Sequence, residues 1–187
     1  RNTPLAWPPE PTHGDETDRP WQTARDAIHD LPRRTKGFEI STRDDGIQHL
    51  HFGRRPRPSS LERYKAIPEG GNRFDLARNR PDLLPDCWAN KPTGTTDVMG
   101  RVFWDRPSFT IRTEFFKPEK GRYLHPSANR PISHREAARL QSFPDEFTFE
   151  GTKIEVARQI GNAVPPVLGK AIANYVYNEA FADDAPV

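Results

Sequence analysis

The sequence predicts an α+β fold: a small domain of short strands, hairpins and long loops, followed by C-terminal helices. Three features carry that expectation. Short alternating segments flank turn-forming residues at 43–46 and again at 105–108. Twenty prolines and a hydrophobic fraction of 34% leave little room for long regular elements. A capped helical pattern opens at Ser133, and two further helical patterns follow it.

Within residues 1–20 the run PLAWPPEPTHGDETDRP is proline-rich and acidic, which suits an extended connector laid over a surface. Over 21–31, Ala24, Ala27, Ile28 and Leu31 recur at helical spacing and Pro32 stops the run, predicting one short amphipathic helix. FEIST and IQHLHF flank Arg43-Asp44-Asp45-Gly46, and an Asp-Gly pair between alternating segments predicts a hairpin. Arg54-Arg55-Pro56-Arg57-Pro58 is a stiff basic connector. Ser59 or Ser60 is then placed to cap a helix through Leu61, Tyr64 and Lys65, ended by Gly70-Gly71. Residues 72–96, broken by Pro81, Pro85 and Pro92, predict loop with short helical turns.

VMGRVFW and FTIRTEFF, joined by a turn, read as two short strands. Phe109, Ile111, Thr113 and Phe115 would share one face, and Thr110, Arg112 and Glu114 the other. Ser133 and Glu136 form a capping box ahead of Ala137, Ala138 and Leu140, and Pro144 ends that helix. Residues 154–160 give another helix, with Gly161-Asn162 as a left-handed break. Pro165-Pro166 opens the last helix, whose apolar stripe is Leu168, Ala171, Ile172, Tyr175 and Val176.

With 28 basic and 26 acidic residues the net charge is only +2, so the placement of charge, not its total, must identify a polyanionic partner. Between 101 and 122, Arg101, Arg106, Arg112, Lys117, Lys120 and Arg122 alternate with aromatic residues, and Ser108, Thr110 and Thr113 add hydroxyls. Arginine offers paired donors to guanine or phosphate, and hydroxyls position the backbone, so this segment is the candidate for binding double-stranded DNA. A solvated strand face is the alternative. The single cysteine, Cys87, excludes an internal disulfide and a cysteine-cluster zinc site, and fits a reducing cytoplasm. It sits beside Asp86 rather than a cation, a setting that disfavours a thiolate, so it reads as structural and not as a nucleophile. No metal site is expected, and no apolar run approaches a membrane span.

RPISHREAARLQSFP (130–144) is, on its own, a capped helix with a basic first turn. QIGNAVPPVLGKAIA follows it closely, and together the two resemble the C5-cytosine DNA methyltransferase family. Arg130, Glu136, Arg139, Leu140, Gln141, Phe143 and Pro144 match its ninth motif. Gln159, Gly161, Asn162, Val164, Pro165 and Pro166 match its tenth. GRVFWDRPSFTIRTEFFKPEKGRYLHP resembles the family's variable target-recognition region, with Thr110-Ile111 as its Thr-Ile dipeptide, and PLAWPPEPTHG resembles the exit from the eighth motif.

The resemblance implies a connector from a catalytic domain over 1–20, a target-recognition domain over 21–150, and over 151–187 a tenth motif and helix that complete a Rossmann-like catalytic domain. It implies the DNA-recognition portion of a DNA (cytosine-5-)-methyltransferase of a restriction-modification system, taking methyl from S-adenosylmethionine to a flipped-out cytosine. The family's Gly-rich loop and Pro-Cys pair are not among these residues. No catalytic residue is therefore expected here, and activity should require an N-terminal half, in cis or as a separate subunit. The Arg at position 1 fits a piece of a longer polypeptide. By resemblance Asn162, with Ala163, approaches the carboxylate end of S-adenosylmethionine, a plain connecting turn being the alternative. Arg130, Glu136, Arg139 and Gln141 hold structure. A stand-alone sequence-specific DNA-binding module is the rival reading, and a restriction endonuclease ranks last because no paired-acid and lysine arrangement is evident.

Overall fold

Side chains that bond back to their own backbone set most helix starts in this chain. The computed structural model describes residues 9–89 and 95–181. In chain order the elements are α1 (Ala24–Ile28), β1 (Ser41–Thr42), β2 (Gln48–His49), α2 (Pro58–Ala66), α3 (Arg73–Asn79), α4 (Asp86–Ala89), α5 (His134–Leu140), α6 (Lys153–Asn162) and α7 (Pro166–Phe181), with 3-10 turns at Pro81–Leu83 and Pro118–Lys120. Reciprocal capping boxes open α1 (Thr23 with Asp26), α3 (Asn72 with Asp75), α5 (Ser133 with Glu136) and α6 (Thr152 with Glu155). Each satisfies orphan amides at a helix start and contributes about 1 kcal/mol.

The hairpin forms as its turn dictates. β1 and β2 pair antiparallel, Ser41 opposite His49 and Thr42 opposite Gln48, and Gly46 takes the positive φ of 80° that the turn requires. The expected helix after the basic connector is present, but its cap is not a serine. Arg57 is the N-cap without a side-chain bond and Pro58 stands in the first turn, so Ser59 and Ser60 lie inside α2. Proline fixes φ there and lacks only an amide that would have no partner. Residues 72–96 hold more structure than loop with turns, because the Asn72 box supports all of α3. Pro92 lies outside the described residues.

The two strands expected at 98–104 and 109–116 do not form. Arg101 makes a single parallel bridge to Leu124, which bridges Pro131 in turn, while 109–116 runs as loop and turn. Ile111 and Phe115 are buried as the alternation implied, but Phe109 is exposed. Period-two burial arises here without a ladder, since the Arg112 amide donates to the Tyr123 hydroxyl and not to a neighbouring strand. The left-handed break at Gly161-Asn162 is also absent. α6 runs through Asn162, and Ala163 is extended.

One apolar cluster gathers Ala24 of α1, Leu50 and Phe52 after the hairpin, Ile111, Phe115 and Tyr123, Ala137 and Ala138 of α5, and Val156, Ala157 and Ile160 of α6. α6 therefore shares the core of the residues before it, and the expected division at 150/151 passes through packed side chains. A second cluster joins Tyr64, Ile67, Leu76, Met99 and Leu124. Along α7 and its approach, Val164, Val167, Leu168 and Val176 are exposed.

Candidate nucleic-acid interface

The 105–117 loop is held by its backbone, which leaves its polar side chains outside. Ile111 is fully packed in the main cluster. On either side of it, the buried Tyr123 hydroxyl donates to the Thr110 carbonyl (3.0 Å) and accepts from the Arg112 amide (3.2 Å). From behind, α6 presses directly on the loop at Gly161: a Cβ there would lie 2.3 Å from the Thr113 nitrogen and 2.5 Å from the Arg112 carbonyl carbon. This glycine serves close approach, not backbone freedom, and it brings the tenth-motif segment against the candidate DNA-reading loop. At the loop's start, α1 takes it up through its first amides, Ala24 to the Arg106 carbonyl (3.0 Å) and Arg25 to that of Trp104 (2.8 Å), and through the Arg25–Asp105 ion pair.

Arg106, Thr110 and Arg112 are exposed, Ser108 and Thr113 half-buried. Arg106 stands 5.0 Å over the Phe103 ring, and neither Arg106 nor Arg112 has a carboxylate partner among the described residues. Lys117 is committed to Glu114, which Lys120 also faces at 3.6 Å. That acid's pKa is lowered, chiefly by its hydrogen bond to Lys117.

Two of the expected DNA contacts are interior cations instead. The Arg101 guanidinium, 3% exposed as a residue, donates to the carbonyls of Ile67, Tyr64, His125 and Ala128 and to Asn129 Oδ1, at 2.7 to 2.9 Å. It ties Tyr64 and Ile67 of the second cluster to the 125–129 segment and has no donor left for a groove. Arg122, also buried, donates to the carbonyls of Gly70, Gly71 and Arg101 and stacks 4.4 Å over Phe103. Composition reveals a cation but not its burial, which is why the sequence placed both on the DNA face.

The ninth-motif residues form a buried polar frame. Arg130 grips Glu136 through two 2.7 Å bonds, and Glu136, fully buried, also accepts from the Ser133 amide (2.7 Å). Burial favours the neutral acid, but Arg130 outweighs it and holds the Glu136 pKa below the usual carboxylate value. His125 faces this pair at 3.6 Å, and its Nδ1 accepts from the amides of Ser127 and Ala128. Its remaining proton is thus on Nε2. Burial pushes the His125 pKa down to about 4, so it is neutral beside the carboxylate at neutral pH. Arg139 binds Asp145 through two bonds (2.8 and 2.7 Å) and reaches Asp30 (2.6 Å), and Gln141 donates to the Ile160 carbonyl (2.9 Å), joining α5 to α6. Sequence reasoning missed Tyr123 because its hydroxyl acts on backbone groups more than ten residues away, and missed His125 because its partners are two nearby amides and a carboxylate brought to it by the fold.

Asn162 is exposed and Ala163 half-buried, at the end of α6 and just before α7. Ser142 already occupies the Val167 amide (3.2 Å). Cys87, expected to be a structural cysteine, is an exposed free thiol on α4.

Residues 22–178 match the family model of the C-5 cytosine-specific DNA methylases, and the chain belongs to that family. Among its relatives, the Type II methyltransferase M.NgoFVII of Neisseria gonorrhoeae is 34% identical over 84% of this chain and 37% of its own. The Type II methylase M.HgiDII of Herpetosiphon aurantiacus is 36% identical over 89% of this chain and 45% of its own. The chain thus spans less than half the length of these relatives. In fold it is similar to a crystal structure of an E. coli prophage-encoded protein assigned as a DNA modification methyltransferase, with a TM-score of 0.53 and 23% identity, covering 88% of this chain and 50% of that one. Among the described residues no helix is long and apolar enough to cross a membrane.

Proposed function

We propose that the chain is the DNA-recognising portion of a cytoplasmic DNA (cytosine-5-)-methyltransferase of a restriction-modification system, acting with an N-terminal catalytic half that is covalently joined or a separate subunit. The observation that carries this reading is the loop of exposed arginines, without a carboxylate partner among the described residues, mounted on buried Ile111 and Tyr123 and pressed by Gly161. Arg106 and Arg112 bind phosphate or guanine edges, and Ser108, Thr110 and Thr113 fix the strand's position. Lys117 adds charge from within its pair with Glu114. Arg101 and Arg122 act only by holding the fold. Held from this side, the duplex presents a cytosine that leaves the stack toward the catalytic half.

Division of the chain into a connector (1–20), a recognition domain (21–150) and a tail completing the catalytic domain (151–187) belongs to this proposal, with α6 seated in the recognition domain's core and α7 as the part of the tail offered to the other half. The exposed apolar side of α7 is the surface that the other half would cover. S-adenosylmethionine supplies the methyl group when bound. Of this chain's residues, the Asn162 amide, next to the positive end of α7, fits the carboxylate end of that molecule, with Ala163 beside it. No residue of the chain is assigned a bond-making role.

The test mixes the chain with a protein bearing the family's Gly-rich loop and Pro-Cys pair and measures tritiated methyl incorporation into duplex DNA. Neither protein alone should incorporate label, and the mixture should. Replacing both Arg106 and Arg112 by alanine should weaken duplex binding, lowering its salt dependence by about one counterion per arginine. No incorporation with any cognate half, or incorporation indifferent to both arginines, overturns the reading.

A further inference from the structure

Beside the recognition loop lies a cavity of about 480 Å³ to which nothing above gives a role. Its floor is aromatic: Phe52, Phe116 and His134 line it, and Phe38, 41% exposed, stands at its lip. Its rim is basic. Arg55 lies 4.4 Å over the Phe38 ring and Arg54 5.5 Å over that of Phe116. Lys153 is held by the Phe38 carbonyl (3.0 Å) and by Glu39 (2.8 Å), so the one acid of the rim is already neutralised. Arg54 and Arg55 have no carboxylate partner among the described residues, and both are exposed.

A cavity rimmed by exposed cations, of which Arg54 also donates to the Phe116 carbonyl, beside the partly exposed Phe38 ring selects a ligand that is both anionic and planar. Its volume is that of a site for a small ligand, which in general runs from about 300 to 1,000 Å³. Duplex DNA supplies the charge but hides its base faces in the stack. An unpaired nucleotide offers phosphate and base face together, and stacking on aromatic side chains beside a cationic groove is the general way single strands are held. We infer that this cavity binds an unpaired nucleotide of a DNA strand, its base against Phe38 and its phosphate on Arg54 and Arg55. Duplex recognition by the 105–117 loop is a separate function, carried by other side chains.

Fluorescence anisotropy of the full chain with a short labelled oligodeoxythymidylate, and in parallel with a labelled duplex, tests this. Phe38→Ala should raise the single-strand Kd about tenfold, as loss of one stacked base does. Arg55→Ala should act in the same direction, while Phe38→Tyr should retain binding, and all three should leave duplex affinity unchanged. Both side chains are exposed, and far-UV circular dichroism verifies that the variants fold. The paired replacement of Arg106 and Arg112 should show the reverse pattern, so a chain that fails to bind duplex yet holds the single strand through Phe38 refutes the recognition loop and not the cavity. No single-strand binding by the unaltered chain, binding indifferent to both Phe38→Ala and Arg55→Ala, or tighter binding of the matching oligoribonucleotide overturns the inference.

Discussion

Replacing Gly161 by alanine sets two effects of known sign against each other. Alanine in place of glycine within a helix gains up to about 1 kcal/mol in propensity, and Gly161 lies in the last turn of α6. Against that gain, the added methyl would lie 2.3 Å from the Thr113 nitrogen and 2.6 Å from its Cα, where carbon contacts ordinarily settle at about 3.5–4.0 Å. The obstacle is backbone, so no rotamer relieves it, and helix and loop must separate by about 1 Å. Overpacking of this kind costs about 1–3 kcal/mol, and a shift in the Thr110–Arg112 mount adds to it, since the Tyr123 bonds on either side of Ile111 must stretch. The clash should win. Gly161→Ala is expected to lose about 2 kcal/mol net, lowering the thermal midpoint by about 4–8 °C for a domain of this size. Urea unfolding with an unchanged slope reads the stability, and duplex affinity should fall in step because Arg112 moves with its backbone. A variant as stable as the parent, or more so, would refute the claim that α6 positions this loop by direct contact.

Two other outcomes follow from the ninth-motif frame. Glu136→Gln leaves Arg130 charged and unpaired next to a buried site, and should cost about 3–5 kcal/mol by chemical denaturation; a loss below about 1 kcal/mol would remove Glu136 from the frame. Burial also holds His125 and His134 near pKa 4, against an ordinary 6.5. In the unfolded chain both take up protons first, so the stability they contribute is complete above about pH 6.5 and is lost as pH falls toward 4. Each accounts for about 3 kcal/mol at most, and a thermal midpoint that stays flat across that interval would contradict the assignment.

Local signals in the sequence were read well where a side chain and its target are close. The Ser133 cap, the Asp-Gly hairpin turn and the proline stops all depend on neighbours within a few residues. The boxes at Thr23-Asp26 and Asn72-Asp75 follow the same spacing with aspartate as the acid, and that at Thr152-Glu155 with glutamate. Two local signals misled, the Ser59-Ser60 cap and the Gly161-Asn162 break; the other misreadings came from distance. The alternation at 109–115 reflects burial against α6 and Tyr123, neither of which is a neighbouring strand. Arg101 looks like any surface arginine until carbonyls from 64, 67, 125 and 128 converge on it. Of the candidate site, the exposed residues of the loop were legible, but the means by which it is mounted were not, because Tyr123 and Gly161 act on backbone atoms.

The inward fastenings of the 105–117 segment are made by backbone atoms and buried neighbours, not by its outward side chains. Ile111, Tyr123, Gly161 and the Ala24 amide fix where the segment runs, partly through the backbone of Arg106, Thr110 and Arg112, and the side chains of Arg106, Ser108, Thr110 and Arg112 contribute little to that. Substitutions at the outward set therefore leave the architecture untouched, so the chemistry this segment presents is free to change while the bracket that presents it stays.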